Sequence, residues 1–244
     1  MKDNFSKQSD LYSRFRPGYP RLLFNFLLPL VPDKKTAWDC GTGNGQVAIK
    51  LSLYFDEVYA TDLSSAQIEN ADKKQNIFHS VENAEETFFP DNTFDLITVA
   101  QAIHWFEFKN FYREAKRTLK PGGIIAVIGY DVFRINKKID LYINKFYRDT
   151  TGPYWDKERK YIDEHYLTIP FPFKEIKTPD FSMDYHWEFE QVIGYLNTWS
   201  AVQHYIRRNN ENPVEKFSEE LKKVWGNVLK RKVTFPVFMR TGRK

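Results

Sequence analysis

The sequence predicts an α/β fold in which a mainly parallel sheet is covered by helices. Three observations lead there. Short apolar runs alternate with helix-like segments from Thr36 to Tyr130, the pattern of repeated βαβ units. A glycine-rich stretch, Thr36 to Gly45 reading TAWDCGTGNG, joins the first such run to a helix-like segment. The second run, Glu57 to Asp62, ends in an acid, which in a βαβ unit lies beside the first loop.

The elements follow in order. Residues 1–20 are polar and turn-rich, and Arg21 to Leu30 reads as an amphipathic helix ended by Pro32 and Asp33. Strands are expected near 36–40, 57–61, 77–81, 94–99 and 124–130, and helices near 45–54, 64–74 and 107–118. Ser64 is placed to cap the second of these helices. From Asn136 to Tyr166 the chain turns helical, charged and aromatic, as an insertion after the fifth strand would. Phe173 to Trp187 alternates like strand, Glu188 to Tyr205 and Pro213 to Lys230 read as helices, and Val233 to Thr241 reads as a last strand. No internal repeat or low-complexity linker is present.

Composition bounds the function. A chain of 244 residues makes one large α/β unit with an appendage. Its 36 basic and 32 acidic residues are mixed, giving a net charge of only +4, so no phosphate-tracking stripe forms and nucleic acid is not expected as a partner. The basic clusters Arg207-Arg208, Lys230 to Lys232 and Arg240 to Lys244 read as solvated surface. The single cysteine, Cys40, excludes an internal disulfide and fits a reducing compartment. No secretory signal core and no run of ~20 apolar residues is present, so no membrane contact and a cytoplasmic location are expected. The histidines His79, His104, His165, His186 and His204 lack metal-site spacing, so no metal is expected.

The glycines carry a steric message. A ligand lying across a strand-to-helix turn needs backbone with positive φ and no Cβ facing it, and Gly41, Gly43 and Gly45 supply that. The helix that follows points its unpaired amides toward the ligand. Asp62 is placed to accept hydrogen bonds from both hydroxyls of a ribose. The spacing is GxGxG, not GxGxxG, which disfavours NAD. Asp39, Asp62, Asn83 and Gln101 all fall at the carboxyl ends of expected strands, where ligands gather in open α/β sheets.

These residues resemble the class I S-adenosylmethionine-dependent methyltransferases. The first motif is Asp39 to Gly45 and the acid of the second strand is Asp62. Asn83-Ala84-Glu85 with Phe88 to Ile97 is similar to the adenine-binding loop and fourth strand, and Leu119 to Gly123 to the turn into strand five. Tyr12 to Pro20 and Gln101 to Phe106 are similar to small-molecule enzymes of the trans-aconitate methyltransferase type. The likeness covers residues 10–130 and thins beyond.

The resemblance implies a Rossmann-like three-layer sandwich with a seven-stranded sheet. Its last strand runs antiparallel, in a hairpin with the strand before it. It implies one domain: an N-terminal lid and helix over 1–35, a cofactor-binding core over 36–130, a helical insertion and substrate cap over 131–232, and the final strand over 233–244. The implied cofactor is S-adenosyl-L-methionine, held by Tyr12, Arg16, Asp39, Gly41, Thr42, Gly43, Gly45, Asp62, Leu63, Asn83, Ala84 and Gln101. Asn83 stands where many relatives carry Asp, and its oxygen can accept the same hydrogen bond. Tyr12 and Arg16 would sit over the cofactor as part of the lid.

The implied reaction is methyl transfer to a small-molecule acceptor. A carboxylate acceptor needs no base, and Arg16, Arg207 or Arg208 would hold it. A phenol, thiol or ring nitrogen would use a base, and His104 is the best placed. His104 and Trp105 are expected to line the acceptor pocket, with Trp105 offering an aromatic face to a cation. Trp199, Ser200, Gln203 and Tyr205 lie at helical spacing and serve either helix packing or a pocket roof, with Trp199 and Tyr205 as its substrate contacts. Rival readings are a catalytically silent cofactor-binding module, a nucleic-acid methyltransferase and an NAD-dependent oxidoreductase. Both monomer and homodimer stay open.

Overall fold

A computed structural model of the chain describes residues 17–244. Its centre is an eight-stranded sheet: β1 (Thr36–Cys40), β2 (Glu57–Asp62), β3 (Ile77–Val81), β4 (Phe94–Ala100), β5 (Leu119–Tyr130), β6 (Lys174–Ile176), β7 (Phe181–Trp187) and β8 (Arg231–Arg243). The strand order is β3-β2-β1-β4-β5-β8, with β8 flanked on its outer side by β6 and β7. Strands β1 to β5 pair in parallel, and β8 runs antiparallel to β5. Because β6 covers Thr241 to Arg243 and β7 covers Arg231 to Val237, the two share one edge place. The seven expected positions are therefore filled by eight segments.

Helices cover both faces. They are α1 (Arg21–Leu27), α2 (Gln46–Leu51), α3 (Ser65–Glu69), α4 (Phe108–Thr118), α5 (Lys137–Lys145), α6 (Arg159–Asp163), α7 (Phe189–Asn197), α8 (Ser200–Asn209) and α9 (Pro213–Trp225). Alternate residues of each strand face opposite layers. Ala37, Val58, Leu96 and Ile124 join the cluster under α1 and α2, while Trp38, Cys40, Ile97 and Ile125 join the one under α4. Central strands buried on both faces read as continuous apolar runs, which is why residues 94–99 were legible. In α4, Phe111, Tyr112, Ala115 and Thr118 make the buried stripe, and the Glu107 side chain caps the helix by accepting from the Asn110 amide at 2.9 Å. Each large side chain buried in this way contributes about 1.5–3 kcal/mol.

Several expected boundaries shift. The helices expected over 45–54 and 64–74 are the short α2 and α3, and Ser64 caps the latter. The helix expected over Glu188 to Tyr205 breaks between Asn197 and Ser200, where the Thr198 hydroxyl turns back onto the Tyr195 carbonyl. Residues 131–232 are not purely helical, since they supply β6 and β7. Strand β7 does pair antiparallel with β8, but α7, α8 and α9 intervene, so the pair is not a hairpin.

Strand order reverses between β1 and β4, and the loops after these two strands therefore diverge to opposite faces and leave a crevice. The glycine-rich loop follows β1 and the Gln101 to Phe106 loop follows β4.

Candidate active site

The loop after β1 is built by two acids. Asp39 is 1% exposed, and its carboxylate accepts from the Thr42 hydroxyl at 2.6 Å, the Ala48 amide at 3.1 Å and the Thr98 hydroxyl at 2.8 Å. These bonds tie the loop to the first turns of α2 and to β4. Burial pushes the Asp39 carboxyl up to about 6, opposed by the same three donors. Asp62 accepts from the Gly43 amide at 2.9 Å and, through its other oxygen, from the Ser64 amide at 2.9 Å. It holds the middle of the glycine loop against the start of α3.

Within that frame Gly41 and Gly43 have φ of 68° and 56°, which L-residues rarely adopt. A Cβ on Gly41 would lie 2.5 Å from the Ala102 methyl, so the loops after β1 and β4 touch through the missing side chain. A Cβ on Gly43 would meet only the Gln67 Oε1, at 4.0 Å. That face of Gly43 opens onto a cleft.

The cleft is a partly open pocket, the concave form that small-molecule sites take. Of the residues expected from sequence, Asp39, Gly41, Thr42, Gly43, Asp62, Leu63, Gln101 and Trp105 line it. Others do not. Gly45 faces Ala71 and His79 beneath the loop. Asn83 is exposed, with its Oδ1 accepting from the Glu85 amide at 3.3 Å, and Ala84 is buried in the core under α4. Neither belongs to the cleft wall. Tyr12 and Arg16 lie outside the described residues. Gln67, which the sequence reading passed over, lines the cleft and is 3% exposed, and its Oε1 has no hydrogen-bond partner among the described residues. Its signal was its place one turn after the Ser64 cap, on the helix face beside Asp62.

A second cavity adjoins the first, and the two share Gln101, Trp105 and Tyr130 as walls. Gln101 stands at φ 55°, fixed by its amide to the Ile128 carbonyl at 2.9 Å and its side chain to the Tyr130 carbonyl at 3.1 Å. A left-handed non-glycine residue at such a junction marks backbone held in place by its surroundings. Trp155, Tyr195 and Trp199 supply further aromatic wall, and Arg159, Asp131 and Asp156 supply charge.

His104 lines this second cavity. Its Nδ1 is 3.0 Å from the Tyr166 hydroxyl, and burial, helped by the Arg159 charge, pushes the imidazole down to about 3. It is neutral at physiological pH. Tyr205 corrects the expectation: its hydroxyl donates to Glu211 at 2.7 Å and its ring lines a separate groove with Phe146 and Phe217. Of the expected roof only Trp199 and Ser200 line the chamber, while the Gln203 side chain donates to the Asn197 carbonyl. Arg207 and Arg208 are exposed at the end of α8 and do not line it either.

A glycine loop pinned by two acids at the switch point of a parallel sheet defines a nucleoside-binding α/β enzyme. Comparison with known proteins makes the class specific. Residues 38–127 match the family described as methyltransferase domain. A Dictyostelium discoideum protein with a provisional methyltransferase name is 34% identical over 99% of this chain and 95% of its own. A solved structure from Anaeromyxobacter dehalogenans, described provisionally as a type II methyltransferase, superposes with a TM-score of 0.87 at 35% identity. That match covers 94% of this chain and 98% of that one. The chain belongs to the class I S-adenosylmethionine-dependent methyltransferases.

The residues present fit S-adenosylmethionine. Backbone without Cβ faces the cleft at Gly43, Asp62 offers a carboxylate and Gln67 an amide at its rim, and aromatic faces at Trp105 and Tyr130 suit a sulfonium. Among the described residues there is no helix long and apolar enough to cross a membrane and no metal-ligating cluster.

Proposed function

We propose that this methyltransferase acts on a small molecule seated in the second cavity. The observation that carries the reading is the shared wall of Gln101, Trp105 and Tyr130 between that chamber and the glycine-loop cleft. S-adenosylmethionine brings a transferable methyl on a positively charged sulfur, and transfer needs an acceptor atom in line about 3 Å from it. The protein's part is then to position. Asp62, Gly43 and Gln67 hold the cofactor, Trp105 and Tyr130 fix where the two cavities meet, and Trp155, Tyr195 and Trp199 enclose the acceptor and exclude water.

His104 acts as wall and not as base, since its lowered pKa and its contact with Tyr166 leave it a poor proton acceptor. Small carboxylic acids are the first acceptors to test, because Arg159 puts a cation in the wall of the second cavity.

Calorimetric titration with S-adenosylmethionine, S-adenosylhomocysteine and NAD in parallel tests the cofactor site, followed by an acceptor screen for S-adenosylhomocysteine release. The expected result is binding of the first two, none of NAD, and turnover with a small molecule. Tight cofactor binding with no turnover on any small acceptor would favour a silent binding module.

A further inference from the structure

The second cavity is lined by a cation, Arg159, whose two Nη atoms have no partner among the described residues. Arg159, at the start of α6, keeps only 20% of its side chain exposed. Its guanidinium lies 4.7 Å from the Trp155 ring centre and 5.2 Å from that of Tyr147. Its Nε donates to the Tyr147 hydroxyl at 2.8 Å and to Asp163 at 3.4 Å. The side chain is thus clamped by its faces and by one edge. Its two Nη atoms make no hydrogen bond to the described residues and are not sealed from solvent.

Of the neighbouring acids, Asp131 is held by the His165 ring at 2.9 Å, and Asp156, 3.8 Å from the His204 ring, keeps a buried Oδ2 with no hydrogen-bond partner among the described residues. Asp163, which does pair with Arg159, is half exposed and engages Nε. Arg159 lines the aromatic chamber, and a clamped guanidinium matches the flat, two-oxygen geometry of a carboxylate.

We infer that Arg159 anchors a carboxylate of the methyl acceptor. The acceptor is then a small organic acid whose reacting atom lies at the other end, against Gln101, Trp105 and Tyr130. The placement supports this division, because Arg159 lines only the second cavity whereas those three residues line both. This rests on the reading of the second cavity as the acceptor chamber. It makes Arg159 a specificity residue that no motif announced, in place of Arg207 and Arg208.

The test uses the full chain saturated with S-adenosylhomocysteine and measures binding of acid and amide pairs from acetate and acetamide to trans-cinnamate and trans-cinnamamide, with phenethylammonium as a cationic probe. At least one acid should bind about ten-fold or more tightly than its amide, as a charge-assisted pair predicts. Arg159→Gln should collapse that gap to within about two-fold, and Arg159→Lys should restore only part of it, with S-adenosylhomocysteine affinity unchanged in both. Acids and amides binding alike in the unaltered protein would overturn the inference without needing any variant. So would preference for phenethylammonium, or a gap that survives Arg159→Gln. Failure of S-adenosylhomocysteine to bind at all would instead overturn the cofactor-site reading on which the inference stands.

Discussion

Replacing Gly43 and Gly41 by alanine, one at a time, separates what the glycine loop does for the ligand from what it does for the fold. Both residues have positive φ, so either alanine costs about 1–2 kcal/mol of backbone strain. At Gly43 the added methyl has nothing nearer than the Gln67 Oε1 at 4.0 Å, so strain is the whole cost to the fold. In a domain of this size that is a drop of roughly 2–8 °C in Tm. The same methyl projects into the cleft, where a ligand must give way to it at about 1–3 kcal/mol, or about 5- to 150-fold in Kd. At Gly41 the methyl would sit 2.5 Å from the Ala102 methyl and 3.3 Å from the Phe106 ring. Overpacking then adds to strain, for roughly 2–5 kcal/mol and a Tm loss of about 5–20 °C. Calorimetric titration with S-adenosylhomocysteine and thermal melts by circular dichroism read the two effects. Unchanged affinity in Gly43→Ala, with a Tm near that of the unaltered protein, would refute the placement of the cofactor on this loop.

Asp62→Ala removes the acceptor of both the Gly43 and Ser64 amides and should weaken S-adenosylhomocysteine by about 100-fold or more while the chain stays folded; equal affinity would sink the assignment. Tyr185 accepts from the Gly18 amide at 2.9 Å and donates to the Gly18 carbonyl at 3.1 Å, and Gly18 lies between the cleft residues Pro17 and Tyr19. Tyr185→Phe should raise the cofactor dissociation rate in stopped flow by about three- to ten-fold, and an unchanged rate would show that this latch is idle. The His104 imidazole should show no protonation between pH 5 and 8 by NMR, since its folded value is about 3, so the pH–rate profile should lack a histidine limb in that range. Because that value is depressed, the stability it carries is present above the unfolded pKa of about 6.5 and is lost as pH falls toward 3. Asp39 has the opposite sign: its raised value of about 6 means stability present below about 3.9 is lost as pH rises through 6. The stability of Asp39→Asn relative to the unaltered protein, from urea melts, should therefore climb by roughly 2 kcal/mol between pH 4 and 7; a flat difference would reject the buried-acid account.

How much of this was legible in the sequence depends on the kind of signal. Strand β1 matched at both ends because a buried parallel strand carries a dense apolar run bounded by turns, and β3 matched although it is an edge strand with one buried residue. The glycine loop was legible because its role is a backbone role, fixed by φ, and Asp62 was placed beside it by spacing along the chain, while its hold on the Gly43 and Ser64 amides was not. Helices α2 and α3 were read too long because their residues suit a helix but tertiary packing ends them early. The second cavity was barely legible. Trp199 lines it and Tyr205 does not, although both lie on the same expected helix, because the break between Asn197 and Ser200 resets the helical phase. Arg159 is one of several basic residues in a charged stretch, and only the packing of Tyr147 and Trp155 around it singles it out.

The two acids of the loop show how a site can be firm before any ligand arrives. Asp39 alone is costly, since burial drives its carboxyl toward protonation. What that cost maintains is a carboxylate or carboxyl held by Thr42, Ala48 and Thr98 at once, which locks the loop to two different elements. Asp62 completes the lock from the other side by taking the Gly43 amide. The loop therefore has little conformational freedom left to lose on binding, and ligand binding energy is not consumed in ordering it. The same logic applies in the second cavity, where Tyr147, Trp155 and Asp163 fix the Arg159 guanidinium. Methyl transfer depends on holding two partners in line, and on the proposed reading both holds are built from groups already immobilised by the fold.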